Sequence, residues 1–148
     1  MVDASACATE SDCTVTEFLL PNGDAIPSFA ALDGEGDIWI TATWQGGRGL
    51  IYTFDPDTET FVEYLAPGED PFDIIVDSRG VAWFTDFTGG TINSINTRTG
   101  LTVVEYRAGQ QCLGIAVDAN DVVWLTCGAT LVRYRRITLP TVYDVSVS

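Results

Sequence analysis

Apolar and polar residues alternate along this chain in short runs, and the runs recur. Thr14-Val15-Thr16-Glu17-Phe18-Leu19-Leu20-Pro21 matches Thr60-Phe61-Val62-Glu63-Tyr64-Leu65-Ala66-Pro67, and both match Leu101 to Ala108; each alternates with the period of two that a half-buried strand requires. A second recurring unit is a hairpin. Pro27 to Asp33 leads to Asp37-Ile38-Trp39-Ile40-Thr41, Pro71 to Asp77 leads to Val81-Ala82-Trp83-Phe84-Thr85, and Cys112 to Asp118 leads to Val122-Val123-Trp124-Leu125-Thr126. A third strand, such as Thr91 to Asn96, precedes a turn of the kind Thr97-Arg98-Thr99-Gly100 or Asp55-Pro56-Asp57-Thr58. Asp, Asn and Gly suit these turns because they tolerate left-handed backbone and bond their own main chain.

The tryptophans of the hairpins stand 44 and then 41 residues apart. A period of about 40 to 45 residues with four short strands is the signature of β-propeller blades, which bury their faces only by stacking. The expected fold is all-β: a partial β-propeller of three four-stranded blades, about 25–67, 68–109 and 110–148, preceded by an N-terminal outer strand and a small, polar, acidic arm over 1–13. Residues Thr141 to Ser148 are available as the outer strand of the third blade.

Three blades do not close a ring, so apolar faces and strand edges remain at both ends, and exposed edges invite pairing. The two ends differ, which makes the contact between copies heterologous; it closes into a ring or propagates as a filament. The expected partner is therefore a second copy, with a dimer forming a six-bladed ring favoured over a filament. Val15 and Phe18 at one end, and Arg133, Arg135, Arg136, Tyr143 and Val145 at the other, are the candidate assembly residues. The three arginines also fit simple surface placement.

Charge narrows the partners further. The chain carries 21 acidic and 7 basic residues, a formal charge of −14, with no lysine and no histidine. Phosphate backbones are bound by clustered Lys and Arg, so nucleic acid is not an expected partner. Such an excess of one sign fits a halophilic setting, where salt screens self-repulsion, and equally an ordinary acidic protein with arginine-biased usage. No run approaches the length of a membrane span, and the first ten residues lack the basic and apolar parts of a secretory signal. Either export is not by the usual route or a leader has been removed.

The blade pattern, Pro-x-x-Ile/Ala-x-x-Asp, then x-x-Trp-Phe/Ile/Leu-Thr, then a Thr-x-Thr-Gly or Asp-Pro-Asp-Thr turn and a Val-x-Glu-Tyr strand, resembles the virginiamycin B lyase (streptogramin lyase) family over roughly residues 14 to 137. The resemblance implies a propeller. It also implies, for the family's larger lyases, histidines, a glutamate and a divalent metal that open a cyclic depsipeptide by elimination. This chain has no histidine onto which that chemistry maps.

Trp39, Trp83 and Trp124 are expected as blade core that packs neighbouring sheets, not as a ring of binding groups. Asp33, Asp77 and Asp118 open the inner hairpin turns, which favours a turn role over a carboxylate ring. The acids of Asp33-Gly34-Glu35-Gly36-Asp37 and of Asp55, Asp57 and Glu59 lack the full ligand set of a calcium loop and are taken as solvated turn acids. Pairing Val117 with Val122 sets Cys112 opposite Cys127; the same frame pairs Pro71 with Asp86 and Pro27 with Ala42. Facing cysteines on neighbouring strands lie near disulfide distance. Cys7 and Cys13 are a second candidate pair; free thiols are the alternative for both, and zinc is disfavoured without histidines or C-x-x-C spacing.

No nucleophile and base set, phosphate loop or metal cluster is visible, so no cofactor or metal is expected. A self-assembling module for structure or surface recognition, with variable loops such as Thr43 to Arg48, fits better than an enzyme. The alternative is a lyase-like enzyme acting on a cyclic peptide lactone. Disulfides, acidity and self-assembly together suit an extracellular or virion-surface protein, with a cytoplasmic place also open.

Overall fold

The computed structural model describes residues 14–136, within which the chain forms eleven strands and no helix. β1 (Ala25–Leu32), β2 (Ile38–Trp44), β3 (Arg48–Asp55) and β4 (Thr60–Leu65) make the first sheet; β5 (Pro71–Val76), β6 (Val81–Asp86), β7 (Thr91–Asn96) and β8 (Thr102–Arg107) make the second. β9 (Cys112–Val117), β10 (Val123–Cys127) and β11 (Thr130–Tyr134) make the third. Every sheet is an antiparallel meander in chain order, and the three together are a partial β-propeller. The acidic arm and the expected last strand over 141–148 lie outside the described residues. Among the described residues no helix is long and apolar enough to cross a membrane.

The inner hairpins depart from the expected register in one respect. Cys112 faces Cys127, Pro71 faces Asp86 and Pro27 faces Ala42, yet next to the turn Val117 faces Val123 and not Val122. A bulge in each hairpin absorbs the extra residue, between Pro27 and Phe29, between Pro71 and Ile74, and opposite Leu125 to Cys127. The amide freed by the bulge is taken up by a side chain. Thr41, Thr85 and Thr126, each two residues past the blade tryptophan, accept from the N–H of Phe29, Asp73 and Gly114 at 3.1, 3.1 and 2.9 Å. An extra residue therefore leaves no orphan donor.

Alternation sorts the strands into two faces. Trp39 and Ile51 of the first blade meet Ile74, Ala82, Phe84 and Ile95 of the second; Trp83 and Ile92 of the second meet Val123, Leu125 and the two cysteines of the third. These two interfaces hold most of the buried apolar residues, which is why the sheets stack at all. A smaller cluster of Ala42, Leu50 and Tyr52 lies on the outward face of the first blade, where Leu20 and Ala25 pack on it.

The N-terminal strand expected over 14–21 is not paired as a strand among the described residues, where no sheet includes it. The segment lies instead against the first blade, with the Phe18 ring centroid 4.6 Å from that of Phe54.

Candidate functional site

Each inner turn is built on one aspartate. Oδ1 of Asp33 accepts from the amides of Glu35, Gly36 and Asp37, Oδ1 of Asp77 from Arg79 and Val81, and Oδ1 of Asp118 from Asn120 and Val122. The second oxygen of each accepts from the indole N–H of the blade tryptophan, at 2.9 Å for Trp39 and 3.0 Å for Trp83 and Trp124. Three residues past each aspartate the backbone is left-handed, at Gly36 (φ 100°), Gly80 (φ 75°) and Asp121 (φ 56°). The aspartates thus tie turn to core, and their acceptor capacity is spent within the blade.

The charges of these turns respond accordingly. Burial pulls the Asp33 carboxyl upward, but the bonds from Trp39 and the turn amides outweigh it and leave it below its ordinary value. Asp118 is held low by the Trp124 indole and by the amides of Asn120 and Val122. Asp37 moves the other way, raised by desolvation and by repulsion from Asp33, Asp55, Glu35 and Asp57. Among the described residues no three acidic or sulfur groups converge as a metal site.

A polar cluster at the outer side joins the second and third blades. Glu105 accepts from Tyr134 (2.9 Å) and Ser94 (2.6 Å) and pairs with Arg136, whose guanidinium lies 5.1 Å from the centroid of Trp83 and donates to Ser94 at 3.2 Å. Burial raises the Glu105 carboxyl, and Arg136, Ser94 and Tyr134 more than reverse it, so it too titrates low. Groups with lowered carboxyl values stabilise the fold above the unfolded value near pH 4 and lose that contribution as pH falls through their folded values. The melting temperature should therefore stay level from neutrality to about pH 5 and drop steeply below about pH 4, with Glu105→Gln giving a shallower acid limb; a thermal melt series across pH checks this.

The blades also exchange one bond of a fixed kind. The Thr41 hydroxyl donates to the carbonyl of Phe72 in the next blade, and Thr85 donates to that of Leu113 at 3.0 Å. Thr126 is the third of the series and sits, exposed, on the outward face of the last blade beside a partly exposed Trp124. Trp39 and Trp83 are each 1% exposed because a following blade covers them. Among the described residues the third blade therefore presents, with no blade against it, a donor and an aromatic of the kind that serve a following blade.

The assembly candidates separate. Val15 is 73% exposed, while Phe18 is partly covered by Phe54. Arg133 stands over the Trp124 ring on the outward face, 5.9 Å from its centroid, and Arg135 is exposed. Arg136 is engaged inside the chain by Glu105, a role that its place in a basic cluster did not signal. Tyr143 and Val145 lie outside the described residues. Cys112 and Cys127 form a disulfide, with Cα atoms 4.0 Å apart, as their facing positions implied; Cys7 and Cys13 lie outside the described residues. A cleft between the loop that leads into the second blade and that blade's strands β6 to β8 holds the buried Asp86 carboxylate, which the amides of Asp70 and Gly89 already satisfy.

No known family profile matches the sequence, and no curated protein matches it. Solved structures do. A streptogramin B lyase superposes with a TM-score of 0.65 at 23% identity, over 84% of this chain and 44% of that one. A catalytically inactive H270A virginiamycin B lyase from Staphylococcus aureus, solved with quinupristin, gives a TM-score of 0.65 at 20% identity over 84% and 46%. The extracellular domain of a protein assigned to the one-component systems, from Bacteroides thetaiotaomicron, gives 0.55 at 13% identity over 68% of this chain and 13% of that one. The chain thus shares the β-propeller fold of these lyases, as its blade motif implied, and spans less than half of their length.

Proposed function

We propose that the chain is a non-catalytic β-propeller module that completes its ring by association with a second copy, serving structural assembly or surface recognition. The observation that carries this reading is the unfinished interface at the last blade, where Trp124 and Thr126 stand outward in the places that Trp39 and Thr41, and Trp83 and Thr85, fill against a following blade. The disulfide favours an oxidising place, such as the cell exterior or a virion surface, and a charge of −14 favours a salty one.

A second reading, a lyase acting on a cyclic peptide lactone, is favoured by the two lyase structures among its fold neighbours. Against it stands the sequence, which has no histidine to act as base or metal ligand. Light scattering of the native protein in low and in molar salt tests the first reading: a dimer or larger closed particle is expected, and a monomer under both conditions would overturn it. Incubation with a divalent metal and a cyclic peptide lactone tests the second; linearisation of the lactone would replace the first reading with the enzymatic one.

A further inference from the structure

We infer that residues 14–20 are the detached fourth strand of a blade whose other three strands, β9 to β11, belong to a second copy of the chain. This rests on the assembly reading and specifies how the copies join.

The packing of the segment is the first ground. Phe18 and Leu20 occupy the sequence positions of Tyr64 and Ala66 on the first blade and of Tyr106 and Ala108 on the second. Tyr64 and Ala66 pack into the interface with the second blade, and Tyr106 meets Tyr134 of the third at 6.3 Å. Phe18 meets Phe54 in the same way, and Phe54, Ile95 and Tyr134 are equivalent, each paired with the residue before its blade tryptophan or that residue's counterpart: Ile38, Ala82 and Val123. The segment therefore sits where the outer strand of a preceding blade would sit, but without that blade's third strand beside it.

The other end of the array supplies the missing neighbour. β11 pairs only with β10 among the described residues, so its far edge is open there, and eleven strands plus this segment make three blades of four. Among the described residues the segment and the open edge of its own chain's β11 do not meet, because the segment is packed on the outward face of the first blade and β11 lies in the third. The same joint would lay the next copy's first blade over Trp124 and bring the carbonyl of its Ser28, the counterpart of Phe72 and Leu113, to the Thr126 hydroxyl.

The repeat also sets the register. Leu50 faces Leu65 and Thr91 faces Arg107, while Ile51 faces Tyr64 and Ile92 faces Tyr106. Carried to the joint, Thr130 of one copy faces Leu19 of the other, and Leu131 faces Phe18. Leu131 is 68% exposed in the single chain, whereas its counterparts Ile51 and Ile92, each paired with an outer strand and covered by a following blade, are wholly buried. Glu17 would then arrive opposite Val132, next to Arg133.

The test uses two single variants, Leu19→Cys and Thr130→Cys, each lacking Cys7 and Cys13, mixed under oxidising conditions so that a link between positions 19 and 130 can form only between chains. The expected result is a mixed covalent dimer carrying that linked peptide by mass spectrometry, at least ten-fold more abundant than with Arg133→Cys in place of Thr130→Cys. An associated protein that gives no such excess would overturn the strand exchange and leave the assembly reading standing, with residues 141–148 the first alternative occupant of the β11 edge. A protein that scatters as a monomer would overturn both.

Discussion

Trp83→Ala is expected to unfold or nearly unfold the protein at ambient temperature, whereas Trp124→Ala in the dissociated chain is expected to leave it folded. Trp83 is 1% exposed between the second and third blades, beside Tyr134 and under the Arg136 guanidinium. Truncating a buried aromatic of this size costs about 3 to 5 kcal/mol, against a total stability of about 5 to 15 kcal/mol for a domain. The loss does not end with packing. The Asp77 side chain is fully buried, and removal of the indole takes away the donor to its second oxygen, leaving that oxygen to Arg79 at 3.4 Å. Trp83→Phe separates the two contributions, since it keeps most of the ring contact and forfeits only the indole bond, at about 1 to 3 kcal/mol. Urea titrations of the three variants measure this order; equal losses for Trp83→Ala and Trp124→Ala would mean that the third blade's tryptophan is covered within the chain.

The next largest effect is expected at the disulfide. Cys112 and Cys127 are separated by 15 residues, and closing a loop of that length in the unfolded chain is worth about 3 kcal/mol in the chain-entropy account. Both cysteines are wholly buried among Val123, Leu125 and Ile92, so a reductant must wait for the third blade to open. Cys112→Ala with Cys127→Ala should shift the urea midpoint by the full amount, and dithiothreitol should reproduce the shift in the native protein only slowly at low urea. A midpoint that does not move in the double variant would show that the blade holds its hairpin without the bond.

The parts of this fold that were legible in the sequence are those fixed by strict repetition. Trp39, Trp83 and Trp124 recur with their aspartates because the indole and carboxylate bond each other across a turn of constant length, so three copies expose one geometry. The facing of Cys112 and Cys127 followed from the same frame. The bulge did not, because a one-residue slip near the turn reverses at the far end and leaves the outer pairs unchanged. Thr41, Thr85 and Thr126 were visible as a repeated threonine, but the double duty of the first two, accepting from a bulged amide and donating to the next blade, depends on how two sheets sit together. Arg136 was hidden for a different reason. Its partner Glu105 is distant in sequence, and on a chain rich in acids no single carboxylate stands out as the one that an arginine will choose.

The meander topology has a further consequence for how the molecule comes apart. Among the described residues every strand pairs only within its own blade and with strands next to it in sequence, so each blade closes through short loops and meets the next across their shared face. Such an array behaves as a one-dimensional series of coupled units, in which the middle unit draws support from both sides and the end units from one. The second blade is then the last to open, and the first and third fray ahead of it. Anything that binds an end works on that fraying, and lends its free energy to the outer blades before the centre feels it.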